Sequence, residues 1–256
     1  LNTVIFCPED LQLIKGTPSG RRRFLDMEIS QTSATYYHQL MQYNRLLQQR
    51  NAVLKEYRGK QNIPLEEWDL QLADMASFIV KKRLESLKKI NLLIDLMNRK
   101  LTGGLENLTI GYEQPYMDNG SLEYTKEGFY ERIKAALPQD RHRLTTSVGP
   151  HRDDLRFFSD AMDLKKFGSQ GQQRTAVLSL KLSELEFIKS EVGEYPVLLL
   201  DDVLSELDES RRANLLQFIH KRIQTFITTT DIHDFKDLKS VQFISCEGGK
   251  VQYGQP

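Results

Sequence analysis

The longest regular pattern in the chain is a helical alternation of apolar and polar positions over residues 36–101. Apolar side chains recur at 36, 40, 43, 47, 54 and 57, with Arg50 interrupting the series, and again at 65, 68, 72, 75 and 79. After a one-residue shift the second series runs through 80, 84, 87, 90, 94, 97 and 101 to a glycine pair at 103–104. These spacings of three and four residues predict two helices, separated by the break GKQNIP at 59–64.

The two predicted helices should form an antiparallel hairpin, because the turn between them is short. At about 1.5 Å per residue the second helix is roughly 55 Å long, more than an ordinary core helix needs. The hairpin is therefore an arm or one side of an elongated lobe, or it is part of a plain helical bundle without a projection. Both interpretations fit the periodicity.

The rest of the chain has the pattern of an α/β protein. Strands are predicted at 3–6, 108–113, 144–148 (LTTSV) and 154–158, with a helix at 127–137. A helix then covers about 170–190, followed by a strand at 197–201, a helix at 209–222 and strands at 224–229 and 241–245. VLLL at 197–200 is apolar throughout, which is typical of a strand covered on both faces in a parallel sheet. The predicted segments are 1–29, the hairpin at 30–103, and 104–256.

Composition excludes several classes of protein. The formal net charge is zero, the two cysteines cannot build a disulfide framework, and no Cys/His cluster has the spacing of zinc ligands. No apolar run approaches the roughly 18 residues of a membrane span, and the first residues, LNTVIFCPED, lack the pattern of an export signal. We therefore expect a cytoplasmic protein that is not associated with a membrane.

Three motifs in the α/β part are compatible with phosphate chemistry. VLLLDD at 197–202 places Asp201 and Asp202 where a buried strand ends, at the edge where such sheets bind ligands. One carboxylate can hold a magnesium-bound water and the next can polarise an attacking water, although an aspartate here is also an ordinary helix cap. FGSQGQQRT at 167–175 puts Ser169 at a helix start, either as an anion site or as an N-cap. LSELD at 204–208 follows, and helix capping alone would explain Asp208.

The order of these motifs is that of the C-terminal half of an ABC-type ATPase. With GPHRDDL at 149–155, and with PEDLQLIKG and RRRFLD within 8–26, the chain resembles the RecF family over nearly its whole length. The resemblance implies an α/β fold: an ABC/SMC-type ATPase head whose P-loop NTPase-like parallel sheet is incomplete here, with an inserted antiparallel hairpin of long helices. In these terms segment 1–29 is the remainder of an N-terminal ATPase lobe, and 104–256 is the C-terminal ATPase part.

The resemblance also implies a role for each motif residue. Asp201 corresponds to the Walker B magnesium ligand and Asp202 to the catalytic base. The implied nucleotide-binding residues are Ser169, Gln170, Gly171 and Gln172 of the signature, Ser205 and Asp208 of the D-loop, and Thr229 or Thr230 in place of the switch histidine. ATP and Mg²⁺ are the implied cofactors.

The sequence departs from the ABC pattern in three further places. Asp202 stands where a glutamate is usual, so slow turnover is expected. CPEDL at 7–11 lacks the Q-loop glutamine and leaves the role of Glu9 or Asp10 undefined. No G-x-x-x-x-G-K-[ST] motif occurs in the 256 residues. In the family this phosphate-binding loop lies upstream of the strand at 3–6, so we expect a missing N-terminal segment to supply it, and no ATPase activity from this chain alone.

The function implied by the resemblance is an ATP-gated dimeric clamp with weak ATPase activity, acting in recombinational repair and replication. It would bind double-stranded, gapped and junction DNA, cooperate with RecR and RecO in recombinase loading, and support SOS induction. Basic clusters give DNA-binding candidates, Arg21, Arg22, Arg23, Lys81, Lys82 and Arg83, which otherwise are solvated surface. His151 and Arg152 could meet a phosphate or pin a turn.

Two other functions remain compatible with the residues. The chain could be the ATP-binding subunit of another ABC/SMC-type system such as a transporter, which the long hairpin and the variant signature disfavour. It could also be a non-catalytic DNA-binding module, an interpretation that the lack of a phosphate-binding loop favours.

Overall fold

The computed structural model describes residues 1–60, 62–116, 124–220, 222–230, 235 and 241–253. Its helices are α1 (Gln12–Lys15), α2 (Pro18–Thr32), α3 (Ala34–Glu56), α4 (Glu66–Thr102), α5 (Lys126–Ala135), α6 (Leu137–Arg143), α7 (Leu164–Phe167), α8 (Gln170–Val192) and α9 (Glu209–Ile219). Its strands are β1 (Thr3–Phe6), β2 (Leu108–Glu113), β3 (Asp154–Ser159), β4 (Met162–Asp163), β5 (Val197–Asp201), β6 (Thr225–Thr228), β7 (Ile244–Glu247) and β8 (Lys250–Tyr253). Short 3₁₀ helices cover Pro8–Leu11 and Leu204–Glu206.

The predicted helical hairpin is confirmed as α3 and α4. Arg50 of α3 contacts Asp69 near the start of α4, while Tyr36 contacts Arg83 further along, so the helices run antiparallel. Buried residues recur along α4 from Asp69 to Leu101, and the helix packs against α3, α5, α8 and β2. The hairpin is therefore packed into a helical layer, and its description as an arm or lobe over residues 30–103 stays a prediction.

A three-stranded parallel sheet has the order β1-β5-β6. Val4, Phe6, Leu198 and Leu200 are buried on the face that meets α8, which is itself buried along most of its length. On the opposite face Ile5, Leu199 and Phe226 lie side by side in register, and Ile5 and Phe226 are 51% and 55% exposed. Burial on both faces, expected from VLLL, thus holds for one face only among the described residues.

The remaining strands form two antiparallel sheets. One has the order β2-β3-β4, with Asp160 and Ala161 at positive φ in the tight turn between β3 and β4. The other is the β7-β8 hairpin, whose first strand begins three residues later than predicted. The strand predicted at 144–148 is wrong. Leu144 ends α6 in a left-handed conformation, and Asn51 accepts hydrogen bonds from Thr146, so side-chain contacts replace strand pairing.

One hydrophobic core joins the helical layer to the parallel sheet, and it contains residues from Val4 to Phe235. All three predicted segments contribute to this core, and their boundaries at residues 29 and 103 stay a prediction. None of the helices in the described ranges combines the length and apolar character that a membrane crossing requires.

Candidate nucleotide site

Two aspartates lie at the carboxyl edge of the parallel sheet, as the sequence predicted. Asp201 is the last residue of β5, and in register it faces Thr228, the last residue of β6. The hydroxyl of Thr228 donates a 2.6 Å hydrogen bond to Oδ1 of Asp201 and accepts one of 3.1 Å from the amide of Asp202. One threonine therefore orients both acidic residues.

Thr228 is a site residue that the sequence reasoning missed, because it considered Thr229 and Thr230. Side chains alternate along a strand, and the register of β6 against β5 places residue 228 beside Asp201. Thr229 lies directly after the strand, half-buried. Aligning the last residue of TFIT with the last residue of VLLLD would have identified Thr228 as the neighbour of Asp201.

Asp202 has an unusual backbone conformation. Its φ is +51°, in the left-handed region, which aspartate tolerates better than most residues. Its carbonyl accepts a 2.8 Å hydrogen bond from Ser205, which fixes the chain between the strand end and the next helix. Both aspartates are solvent-exposed, so a ligand can reach them.

The donor set at this edge suits a small divalent cation that shares its ligands with phosphate oxygens. Mg²⁺ prefers oxygen ligands and is usually held by one or two carboxylates together with waters and substrate phosphates. Asp201 and Asp202 supply two carboxylates, and within the described ranges no group of three or more His, Cys, Asp or Glu side chains forms a fuller metal cage. The residues therefore fit a metal brought with a nucleotide.

Asp208 caps the helix that follows the acidic pair. Its carboxylate accepts a 2.9 Å hydrogen bond from the amide of Arg211 and pairs with the Arg211 side chain. These contacts, the amide bond above all, hold the pKa of Asp208 below its usual range. Ser205 and Asp208, the predicted D-loop residues, thus flank a short, well-anchored turn.

Ser169 and Gln172 form a capping box at the start of α8. The hydroxyl oxygen of Ser169 accepts a 3.2 Å hydrogen bond from the Gln172 amide, and the Gln172 side chain accepts one of 3.0 Å from the Ser169 amide. A Cβ placed on Gly168 would lie 2.6 Å from the carbonyl oxygen of Leu164, whereas one on Gly171 would meet nothing closer than 4.0 Å. Packing within the chain therefore explains why residue 168 is glycine, but it does not explain why residue 171 is.

The signature residues are far along α8 from the sheet edge. Lys181, near the middle of this helix, lies 3.5 Å from Asp10, which follows β1. Ser169 is twelve residues earlier, or about 18 Å at 1.5 Å per residue. Ser169 therefore lies well away from the point where α8 meets the segment after β1, and the regions at Asp201 and Ser169 are two candidate half-sites.

A buried ionic network connects α8 to the segment after β1. Lys181 lies 3.2 Å from Glu184, and the carboxyl groups of Glu184 and of Glu28 on α2 interact electrostatically. Burial raises the pKa of Glu28 to about 7 and that of Glu184 well above its usual range, so the pair holds a proton near neutral pH. Asp10 accepts from the Cys7 amide at 2.9 Å, which gives this carboxylate a structural role.

Two of the predicted DNA-binding residues are buried and have to be corrected. Arg21 pairs with Asp154, and Arg83 pairs with Asp26 through two nitrogens. Both guanidinium groups lie inside the fold at 2–3% exposure, because helical spacing turns them inward. The candidates that remain at the surface are Arg22, Arg23, Lys81 and Lys82.

The GPHRDDL motif is a structural junction. His151 accepts a hydrogen bond from Tyr43 and donates one to the Thr146 carbonyl, and burial lowers its pKa to about 4, so the ring is neutral. Arg152 donates to the same carbonyl at 2.7 Å. Asp153 is buried and accepts from Tyr112 and Tyr116. His151 and Arg152 therefore pin a turn in this structure.

The parallel sheet with its acidic edge, the capped α8 and the inserted hairpin define an ABC/SMC-type ATPase head. No family model matches the chain. The chain belongs to the RecF family: it is 50% identical to the DNA replication and repair protein RecF of Alkaliphilus oremlandii over 241 residues, 93% of this chain and 66% of that protein. It is 45% identical to RecF of Halalkalibacterium halodurans, covering 98% of this chain and 70% of that protein.

Two solved structures of the recombination mediator protein RecF, RecF-ATP and RecF-ATPrS, closely resemble the structure of this chain. Each has a TM-score of 0.88 at 37% identity and covers 99% of this chain. This chain covers 67–68% of those chains, so it spans about two thirds of the length of the relatives it matches.

Proposed function

We propose that the chain is the signature-bearing and Walker B-bearing part of an ATP-dependent DNA-binding protein of recombinational repair and replication. The observation that carries the proposal is the pair Asp201 and Asp202 at the carboxyl edge of a parallel sheet, oriented by Thr228. The names of its relatives, and the ATP in one of the solved structures, support the choice of DNA and ATP as ligands.

ATP would close a homodimer in which each half-site completes the other. Ser169 lies about 18 Å along α8 from Lys181, which contacts the segment after β1, and this argues against both half-sites serving one nucleotide within a protomer. In a head-to-tail pair, the Ser169 end of one protomer would face the nucleotide held at the Asp201 edge of its partner. Gln170, Gly171 and Gln172 would line that contact, with Ser205, Asp208 and Thr229 nearby in the closed dimer.

The two aspartates would have different tasks. Asp201, with its carboxylate oriented by Thr228, would hold Mg²⁺, which would offset phosphate charge. Asp202 would accept the proton of the attacking water. Its side chain is one methylene shorter than glutamate, which favours slow turnover. The whole protein would thus be a weak ATPase, and this chain, whose sequence has no phosphate-binding loop motif, would neither bind ATP tightly nor hydrolyse it.

The partners that we propose are inferred from membership of the RecF family. They are double-stranded and gapped DNA, with RecR and RecO as protein partners in the cytoplasm. The clamp would support recombinase loading and the SOS response. Arg22, Arg23, Lys81 and Lys82 are the surface cations available for phosphate contacts, which give affinity without sequence readout.

The central test uses a fusion of this chain with the third of a RecF relative that lies outside the matched region. Ser169→Asp keeps a good helix cap but places a negative charge where a phosphate is proposed to bind. Ser169→Arg adds bulk at the same point. Both variants should retain ATP affinity in the monomer and lose ATP-dependent dimerisation, measured by sedimentation, and ATP hydrolysis.

Ser245→Arg, at an exposed serine of the β7-β8 hairpin, is the matched control and should dimerise normally. Normal dimerisation of Ser169→Asp would show that Ser169 is only a helix cap and would remove the central contact of the clamp. DNA binding by the unmodified fusion without any hydrolysis would instead favour a non-catalytic module.

The division of roles between the aspartates is tested in the same fusion. Asp202→Asn should preserve ATP binding and dimerisation while removing most hydrolysis. Asp201→Asn should weaken the magnesium-dependent part of ATP binding. Identical behaviour of the two variants would contradict the assignment.

A further inference from the structure

A groove of about 470 Å³ lies between α2 and α3 on the helical layer. Arg22, Arg23 and Met27 line it from α2, and Tyr37 and Asn44 line it from α3. Its floor is formed by Arg83, Pro150 and His151. The groove thus opens directly above the junction made by the GPHRDDL motif.

The charge of the groove is positive at its rim and neutral at its floor. Arg83 is compensated by Asp26, to which it donates two hydrogen bonds of 2.9 Å, and His151 is neutral. Arg22 donates one 2.7 Å hydrogen bond to the Asp153 carbonyl, and Arg23 is exposed. The guanidinium groups of Arg22 and Arg23 therefore line a groove in which the carboxylate of Asp26 is already paired with Arg83.

The rim also carries exposed apolar surface. The Tyr37 side chain is 48% exposed and Met27 is 50% exposed. Tyr37 also lies edge to face with His38, at 5.7 Å between ring centroids. An exposed aromatic ring beside two arginines is the combination that binds unpaired nucleic-acid strands, with bases stacked on the ring and phosphates on the cations.

We propose that this groove binds an unpaired segment of DNA, with backbone phosphates on Arg22 and Arg23 and a base against Tyr37. The inference deepens the proposed function, because it rests on DNA being the substrate and names the strand form and the surface. Bases in a duplex are stacked on one another and offer no free face to Tyr37, so the groove favours single-stranded DNA. Asn44 at the same rim supplies an amide that can hydrogen-bond a base edge.

The positive charge of the groove would also attract an acidic peptide, but the aromatic ring distinguishes an unpaired DNA strand from such a peptide. A polyanionic peptide needs the cations only, whereas an unpaired strand uses the cations and the ring together. The family of DNA replication and repair proteins to which the chain belongs favours the strand.

The test measures fluorescence anisotropy of a labelled oligothymidylate of about 12 nucleotides, and of a duplex of equal length, with the chain in the absence of nucleotide. Tyr37→Ala should weaken single-strand binding by about fivefold to a hundredfold. Arg23→Ala should lower the slope of log affinity against log salt by roughly 0.7 between about 50 and about 200 mM. Duplex binding should be weaker and insensitive to Tyr37→Ala.

Tyr253→Ala and Lys100→Ala are the matched controls, at an exposed tyrosine and an exposed lysine on other elements. Circular dichroism melts verify that each variant is folded. Equal effects of the groove variants and the controls would overturn the proposal, as would equal affinity for the duplex. Binding of labelled polyglutamate as tight as that of DNA, unaffected by Tyr37→Ala, would assign the groove to an acidic peptide. Because no ATP is present, the outcome is independent of the dimerisation test at Ser169.

Discussion

Replacing Arg83 should destabilise the fold. In the sequence this arginine belongs to the run KKR at 81–83, but its side chain is only 2% exposed. It donates to Asp26 at 2.9 Å through two nitrogens and to the Pro150 carbonyl at 2.7 Å, and it lies 3.6 Å from Asp153. Arg83→Met keeps much of the side-chain volume and removes the charge.

The magnitude follows from the carboxylates left behind. Removing one partner of a buried ion pair typically costs about 3–5 kcal/mol, because the other charge stays buried without compensation. Asp153, with 0% side-chain exposure, would keep its two tyrosine donors but lose the nearby cation. A typical domain has only about 5–15 kcal/mol of unfolding free energy, so the loss would be a large share of it.

The pH dependence supplies a second signature. Burial raises the pKa of Asp153 to about 6, although Arg83 opposes the shift. A carboxyl group with a raised folded-state pKa stabilises the fold below its unfolded pKa, and this contribution is lost as pH rises through the folded value. Without Arg83 the pKa of Asp153 rises further, so the destabilisation should be larger at about pH 7.5 than at about pH 5.

The neighbouring Lys82→Met variant is the control. Lys82 is 43% exposed and pairs with Glu85 on the helix surface, so its loss should change the unfolding free energy by less than about 1 kcal/mol. Urea denaturation followed by circular dichroism measures both variants. A loss in Arg83→Met as small as in Lys82→Met would refute the reasoning.

Three further predictions concern other parts of the chain. Glu28→Gln removes a buried carboxyl group whose pKa is raised to about 7. In the unmodified chain this group loses its proton between about pH 6 and about pH 8, which lowers the unfolding free energy. In urea titrations of the variant, the fall in unfolding free energy over this range should be smaller by about 1 kcal/mol. Gly149→Ala should destabilise by more than about 2 kcal/mol, since φ is +132° and the new Cβ would lie 2.3 Å from the Tyr43 hydroxyl; an unchanged melting temperature would contradict this. Phe226→Ser, on the open sheet face, should reduce self-association in sedimentation experiments and leave the urea midpoint nearly unchanged.

Hydrophobic periodicity predicted the helical hairpin well but misjudged the arginines within it. Arg50 was taken to interrupt the apolar series, yet it continues the inward-facing stripe with 0% exposure. Its charge is met by Asp69 and Asp140, each at 2.6 Å. A pattern of apolar letters cannot predict such a position, because the compensating carboxylates come from residues 19 and 90 positions away.

The acidic pair at 201–202 was predictable because a strand that is apolar at every position has a recognisable end. Its hydrogen-bond partner was not, since Thr228 becomes adjacent only through the register of β6 against β5. At the open face of the sheet, by contrast, the sequence predicted a cover that the described residues do not supply. VLLL carries the pattern of a strand covered on both sides, and sequence does not tell which residues supply the cover.

At Ser169 the helix cap and the proposed phosphate contact are compatible. As a cap, the Ser169 oxygen accepts a hydrogen bond from the Gln172 amide, which leaves its own proton available for donation. The first backbone hydrogen bond of α8 runs from Gln173 to the Ser169 carbonyl, so the amides of Gln170 and Gly171 precede the helical ladder. The cap thus fixes the orientation of a hydroxyl and two amides before any ligand arrives. An anion meeting them would gain from a preformed set of donors and from the helix dipole, so the cap does not argue against the proposed phosphate contact.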